Sequence, residues 1–231
     1  MVARSTLISE LDSILKSCVD SVKNLLEYQK LNQNDARVTF FKHFINVLDS
    51  TILSLIIAHK YFGNDEWWRE VNIEYNLTPR PVDHVKEIEY YDQVITLAYF
   101  VLTFGSFESS LRLICKQYDP NLYQTQRDFN PLCKGIVKKL KLKNRGKFID
   151  LISKLRNAIH TNGLYVPKGN MKNEKIIWNK MRFTFNENKP IAFQSLWSSL
   201  IPISKEIIDL FNEIMNSHGI KRISYYHDPT E

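Results

Sequence analysis

Glycine and proline are scarce in this chain, which has only 7 Gly and 8 Pro among its 231 residues. Both residue types interrupt regular secondary structure, so their scarcity favours long helices over a sandwich of many short strands. The remaining composition, with 44% hydrophobic and 24% charged residues, is typical of a soluble globular protein. A chain of this length can bury one sizeable hydrophobic core.

Cysteine is also rare, and its three residues (Cys18, Cys115 and Cys133) are far apart and odd in number. This spacing excludes a disulfide framework and a cysteine metal site, and it is typical of a protein of the reducing cytosol. Long apolar runs are absent too. The most apolar run, Val94 to Phe104, has 11 residues, whereas a membrane helix needs about 20. We therefore expect a cytoplasmic protein without a membrane partner, and a buried helix segment at this run.

Several catalytic signatures are missing as well. No two of the 6 histidines fall in a metal-ligand pattern with acids or cysteines. The sequence has no phosphate-cradling glycine loop and no Gly-x-Ser-x-Gly motif. It therefore predicts neither a metal site nor a cofactor. The net charge of +6 leans weakly towards an anionic partner.

Apolar residues recur at spacings of three and four over most of the chain, which predicts helices. The predicted helices cover residues 5–31, 35–62, 82–118, 131–141, 147–161 and 195–217. Residues 64–81 are less regular, and a clear break falls at residues 78–81. Residues 176–185 alternate instead, with Met181, Phe183 and Phe185 on one side, which predicts a strand. Residues 191–193 form a short candidate partner strand after a turn.

These elements predict an all-α fold, a helical bundle with a small β-hairpin inserted before the last helix. We expect residues 1–231 to form a single domain. Within it, residues 1–62 supply the N-terminal helices and residues 82–163 the core helices. Residues 164–193 supply the hairpin, and residues 195–217 supply the C-terminal helix.

The stretch "SKLRNAIHTNG", Ser153 to Gly163, places Arg156 and His160 one helical turn apart on a shared face. One interpretation is an ordinary helix end, because cations near the C-terminus favour the helix dipole and Asn-Gly supplies a left-handed cap. The other interpretation is a reactive site. Metal-independent RNA cleavage needs a base for the 2′-hydroxyl, an acid for the leaving 5′-oxygen and positive charge on the phosphate. Histidine moves protons near neutral pH, and arginine presents a fixed fork of donors to phosphate.

Two motifs resemble those of the HEPN superfamily (higher eukaryotes and prokaryotes nucleotide-binding domains). "LRNAIHTNG", near the end of a bundle helix, is similar to the family signature. "FGSFESSLRLI", Phe104 to Ile114, is similar to an aromatic-x-x-Phe-Glu-x-x-x-Arg pattern in an earlier helix. The order of the motifs agrees, and the resemblance covers residues 82–215. It implies an HEPN-like bundle that forms a homodimer with its Arg-His faces together, and metal-independent RNA cleavage in a toxin, CRISPR-associated or phage-defence protein.

The resemblance also implies a role for each motif residue. Arg156 would stabilise the phosphate, Asn157 would support it, and His160 would act as acid or base. Glu108 on the neighbouring helix would orient Arg156 or His160. A toxin-type protein of this family would also have an antitoxin or another protein as partner.

One feature departs from the family pattern. Three residues separate Arg156 from His160, whereas the catalytic pattern of the family has four to six. Shortening the spacing by one residue rotates the histidine by about 100° around the helix axis. The alternative is therefore a non-catalytic HEPN-like module that binds a nucleotide, RNA or a partner protein.

The segment "KGIVKKLKLKNRGK", residues 134–147, holds seven basic residues and no acid. It leads directly into the Arg-His helix and predicts an RNA-binding surface. The predicted contacts are Lys134, Lys138, Lys139, Lys141, Lys143, Arg145 and Lys147. A solvated helix face is the competing interpretation, and it would suit a plain helical interaction protein.

Overall fold

The computed structural model describes residues 4–76, 84–160, 165–166, 173–189 and 196–227, without the side chains of His84, His160 and Leu196. Its elements are α1 (Arg4–Lys23), a π-helical turn (Asn24–Tyr28), α2 (Ala36–Tyr61), α3 (Asp65–Glu74), α4 (His84–Tyr118), α5 (Pro120–Thr125), α6 (Phe129–Lys139), α7 (Gly146–His160), β1 (Asn173–Trp178), β2 (Met181–Asn186), α8 (Leu196–Asn216) and α9 (His218–Lys221). The prediction of a mostly helical protein with a small hairpin before the last helices is confirmed.

Four long helices enclose the main hydrophobic core. Helix α1 packs on α2, α2 on α4, α4 on α8, and α8 on α1, which closes the ring. Aromatic side chains fill its centre. The ring of Phe40 on α2 lies 3.8 Å from that of Phe211 on α8 and 6.3 Å from that of Phe107 on α4, between centroids. The core therefore joins segments that are distant in sequence.

Helices α6 and α7 pack beside α4, and the hairpin packs on α7. Phe104 and Phe107 of α4 contact Phe129 at the start of α6, with centroids 4.8 and 5.8 Å apart. Helix α7 buries Phe148 and Leu155 against this layer. Its opposite face, which includes Arg156, lies at the surface.

The hairpin differs from the prediction, because residues 176–185 do not form a single strand. The chain turns at Asn179 and Lys180, which have left-handed backbone angles φ of 46° and 61°. Strands β1 and β2 therefore pair with each other, and Trp178 faces Met181 directly across the ladder. A two-residue turn with positive φ at both positions suits the right-handed twist of a hairpin. The expected partner strand at residues 191–193 lies outside the described residues.

The turn also changes which side Trp178 occupies. A continuous strand would place Trp178 and Met181 on opposite faces, whereas cross-strand partners share a face. Accordingly, Trp178 and Met181 both pack against the core, beside the buried Phe183 and Phe185. The predicted shared side of Met181, Phe183 and Phe185 is therefore confirmed, whereas a single strand would have placed Trp178 on the wrong side.

The apolar run in α4 is buried on one face only. Tyr99 and Phe104 are buried, whereas Val94 is 63% exposed and Leu102 is 54% exposed. The expectation that this whole segment is buried is therefore wrong, since a helix in a four-helix ring turns only part of its surface inward. By length and composition alone, α2 and residues 85–118 could cross a membrane. Core helices of soluble proteins pass the same test, and 33% and 44% of these two apolar windows are buried. The cytoplasmic location and the absence of a membrane partner therefore stay predictions.

Two short helices lie outside the predicted ones: α3 falls in the stretch predicted as irregular, and α5 follows the long helix predicted to end at residue 118. The side chain of Asn64 caps α3 by accepting from the backbone N–H groups of Glu66 and Trp67 at 2.9 and 3.2 Å. Asp119 caps α5 by accepting from the N–H of Leu122 at 3.1 Å, and Pro120 occupies the first turn. Both follow ordinary capping rules, so the local signals were present.

Asp119 also gives the fold a pH-dependent contact. The ammonium of Lys139 donates a hydrogen bond to its carboxylate, which lowers the pKa of Asp119 below its ordinary value of 3.8. A lowered folded-state pKa stabilises the protein above the unfolded-state pKa and loses that stabilisation as the pH falls through the folded-state value.

We therefore expect Asp119→Asn to lower the free energy of unfolding by about 1–2 kcal/mol at pH 7. The difference from the parent should shrink as the pH falls below about 4, where the aspartate itself becomes protonated. Urea unfolding at pH 7 and pH 3 measures this. Asparagine also caps helices well, so the variant keeps the cap. If the free energies of unfolding of parent and variant differ equally at both pH values, the charge of Asp119 contributes nothing.

Candidate functional site

The two motif helices meet at one carboxylate. Glu108 of α4 accepts from Nε and Nη2 of Arg112 at 3.0 and 2.6 Å, both on Oε1. Its other oxygen, Oε2, lies 3.6 Å from Nε of Arg156 on α7. Glu108 thus stands between two guanidinium groups from different helices, and the structure brings together the predicted pair Glu108 and Arg156.

The charges of this cluster do not cancel. Only 14% of the Glu108 side chain is exposed, and a carboxylate in such a position requires a partner. It receives two, because Arg112 and Arg156 both reach it. One negative charge faces two positive charges, so the cluster carries a net positive charge. Arg156 remains 38% exposed and can therefore present its guanidinium to an anion from solvent.

Arg156 lies in an open cleft of about 490 Å³. The start of α6 forms one wall and the outer face of α7 forms the other, with Tyr165 and Val166 at the edge. Arg156 Nη1 donates to the side-chain oxygen of the neighbouring Asn157 at 3.3 Å. Asn157 therefore contacts the arginine that the sequence assigned it to support.

Lys154 lines the same cleft but is already engaged. Its ammonium lies 2.6 Å from Glu174 of β1 and 5.7 Å from the centre of the Tyr165 ring. Burial lowers the pKa of Lys154, but its interactions with Glu174 and Tyr165 together outweigh burial and leave the pKa above its ordinary value. Lys154 thus fastens the hairpin to α7, and Arg156 is the more available cation.

His160 is the last residue of α7. Its side chain lies outside the described part of the structure, and so do Asn162 and Gly163. The predicted acid–base role of His160 and the predicted left-handed cap therefore stay predictions.

The basic segment divides into lysines that form ion pairs and exposed lysines that do not. Lys134 pairs with Asp150 at 2.5 Å, and Lys139 pairs with Asp119. The remaining lysines, Lys138, Lys141, Lys143 and Lys147, are exposed. No ion pair involves these four side chains within the residues that the structure describes.

Arg145 has a structural role instead of the predicted RNA contact. Its side chain is 8% exposed and forms ion pairs with Glu206 and Glu213 of α8. Burial lowers the pKa of Arg145, but its hydrogen bonds and charge interactions with the two glutamates together outweigh burial and raise it. A guanidinium held in this way ties the start of α7 to α8. Arg145 is therefore not available for the predicted RNA contact.

Sequence reasoning missed two arginines beside the site. Arg127 was not singled out, and Arg112 entered only as the arginine of the aromatic-x-x-Phe-Glu-x-x-x-Arg pattern. Arg112 Nη2 donates to the backbone oxygen of Arg127 at 2.9 Å, and both line a second, smaller cleft with Tyr123. The basic character of this surface therefore extends beyond Arg156. A local signal for Arg127 was lacking, because it stands alone in a polar loop.

Comparison with known proteins adds no assignment. No family model matches the chain, and no match was found among curated proteins or solved structures. Within the described residues, no group of three or more His, Cys, Asp or Glu side chains could hold a metal ion.

Proposed function

We propose that the protein is an HEPN-like RNA-targeting protein whose Arg156 holds a phosphate of the RNA backbone. The observation that supports this most directly is the Glu108 cluster, which joins the two motif helices and leaves a positive charge at an open cleft. A largely buried carboxylate pairs with Arg156 at 3.6 Å, and a guanidinium fork held near one position suits phosphate better than a mobile one. The four exposed lysines of the basic segment supply further phosphate contacts.

The same site suits metal-independent cleavage. The 2′-oxygen attacks the adjacent phosphorus and the bond from phosphorus to the 5′-oxygen breaks, which leaves a 2′,3′-cyclic phosphate and a 5′-hydroxyl. One group accepts the 2′-hydroxyl proton and another gives a proton to the 5′-oxygen. Arg156 stabilises the crowded phosphate. We propose His160 as one of the two proton-transfer groups.

A second candidate function is RNA binding without cleavage. The three-residue spacing between Arg156 and His160 favours it, since one residue fewer shifts the histidine position by about 100° around the helix axis. In this case Arg156 and the exposed lysines contact phosphates in the same way, and no proton is transferred.

We expect the parent to cleave a mixed RNA pool in EDTA, with 2′,3′-cyclic phosphate ends. Arg156→Ala should lower the rate about 10²–10³-fold, because it removes charge from the crowded phosphate. His160→Ala should lower it about 10²–10⁴-fold, because it removes a proton-transfer group. Gel analysis of the products and end-group chemistry measure both effects.

Arg69→Ala is the matched control, because Arg69 is a well-exposed arginine of α3 that pairs only loosely with Glu66, at 3.5 Å. It should cleave and bind as the parent does. If the parent and variants are folded, cleave nothing and still bind RNA with a steep salt dependence, the non-catalytic function is the correct one. If Arg156→Ala binds and cleaves RNA like the parent, the proposed site is wrong.

A further inference from the structure

A third cleft, larger than the two described above, opens at the other end of α7, away from Arg156. It has a volume of about 960 Å³, at the upper end of the range of about 300–1,000 Å³ for small-ligand sites. Its walls are the start of α7, the turn of the hairpin and one face of α8. The side chains that matter here are Lys143, Lys147, Trp178, Asn179, Lys205 and Asp209.

An aromatic ring forms part of the cleft wall. Trp178 ends β1, and its ring centre lies 5.1 Å from that of Phe148, with 37° between the ring planes. Phe148 is 1% exposed and anchors the indole from the core side. Because Trp178 is only partly buried and also lines the cleft, it offers a fixed aromatic surface to a ligand.

The cleft has more free positive than negative charge. Lys143, Lys147 and Lys205 are exposed, and none forms an ion pair within the described residues. Two of the acids are already matched, since Glu206 pairs with Arg145 and Asp150 pairs with Lys134. Only Asp209 is left to oppose three ammonium groups. The cleft therefore favours an anionic ligand.

We propose that this cleft binds a nucleoside phosphate unit, with its base stacked on Trp178 and its phosphate held by Lys143, Lys147 and Lys205. A planar ring beside a group of cations is the arrangement that binds single-stranded nucleic acid, where bases stack and phosphates pair with lysine. Asn179 and Asp209 provide hydrogen-bonding groups for the polar edge of the base. An acidic peptide would need a separate aromatic side chain to cover the indole, whereas a nucleotide supplies the planar ring and the negative charge in one unit.

The cleft lies on the same helix as the proposed RNA site, and both clefts are bordered by Asp150. Helix α7 has 15 residues, so its length is about 22 Å. A short single strand that follows this helix can reach both clefts. The inference thus extends the proposed function, but binding at Trp178 does not depend on cleavage at Arg156.

The test measures binding of a fluorescein-labelled hexauridylate by anisotropy, with unlabelled UMP as competitor. Trp178→Ala should weaken binding about 5- to 100-fold, whereas Trp178→Phe, which can still stack, should stay within about threefold. Competition by UMP would identify a site for free nucleotides, and its absence would identify a site for the RNA strand. Equal binding by the parent and Trp178→Ala would overturn the proposal, as would equal losses in the alanine and phenylalanine variants.

A second variant protects the test against misfolding of Trp178→Ala. Substituting Lys143, Lys147 and Lys205 with glutamine changes only exposed side chains. It should lower the slope of log affinity against log salt by about 0.7, since the three lysines hold one phosphate and each neutralised phosphate of a single strand contributes about that much. An unchanged slope would overturn the proposal. Arg156→Ala, measured in parallel, separates the two sites. A loss there with no effect of Trp178→Ala supports the proposed function alone, since Lys143 and Lys147 are phosphate contacts in both proposals.

Discussion

Asp35→Asn is expected to lower the free energy of unfolding by about 3–5 kcal/mol, because it leaves a buried arginine without its counter-charge. Asp35 is fully buried and Arg37 is 2% exposed. Arg37 donates to Asp35 through Nε at 2.8 Å and through Nη2 at 2.6 Å. An asparagine keeps the shape of the side chain but supplies one acceptor oxygen and no negative charge.

The same carboxylate joins the start of α2 to the C-terminal segment. Asp35 caps α2 by accepting from the N–H of Arg37 at 2.9 Å, and it accepts from the N–H of Tyr226 at 3.0 Å. The Arg37 guanidinium lies 4.7 Å from the centre of the Tyr226 ring and donates to the carbonyl of Ser224 at 3.3 Å. Loss of the charge should therefore also loosen residues 224–227.

Urea unfolding, followed by circular dichroism, measures the effect. Asp12→Asn is the matched control, because Asp12 forms an exposed ion pair with Lys16 within α1. Exposed pairs contribute about 0.2–1 kcal/mol, so this variant should be nearly as stable as the parent. Similar losses in the two variants would mean that burial does not increase the contribution of the Asp35–Arg37 pair to the free energy of unfolding.

Phe40→Ala is expected to cost about 3–5 kcal/mol, since it removes the ring at the centre of the four-helix core and leaves a cavity. Phe40 is fully buried. Its ring contacts those of Phe41 and Phe44 on its own helix, and those of Phe107 and Phe211 on α4 and α8. The cavity would be walled by three different helices, which limits how far the core can collapse to fill it.

Leu53→Ala on the same helix is the control, because Leu53 is 59% exposed and a surface substitution changes stability by about 0.5 kcal/mol or less. Thermal and urea unfolding of the three proteins give the comparison. A loss below about 1 kcal/mol for Phe40→Ala would show that α2, α4 and α8 do not share the core that the structure describes.

The periodicity of the sequence predicted the main helices to within a few residues, because the spacing of apolar residues reflects the helix repeat itself. The buried side of α1, with Leu7, Leu11, Ile14 and Cys18, follows directly from this spacing. The hairpin was predicted in the right region, but its turn was placed wrongly. Neither of the two turn positions, Asn179 and Lys180, is a glycine, so the usual sequence sign of a tight hairpin turn was missing.

The candidate site was predicted in part. The motif residues Glu108 and Arg156 were selected from the sequence, and they lie together. Arg145 was selected for the same reason as its neighbouring lysines, namely its charge. Its burial against Glu206 and Glu213 could not be read from a basic segment, because both acids lie on a helix far along the chain.

The sequence by itself determined the helical character, the approximate bounds of the long helices and the two motifs, since each depends on residues close together in the chain. Only the tertiary structure decided which face of α4 is exposed, which cations are free to meet an anion, and that Trp178 lines a cleft. Those properties depend on which distant segments pack together. A charged or aromatic side chain has the same local sequence whether it meets a partner from another helix or faces solvent.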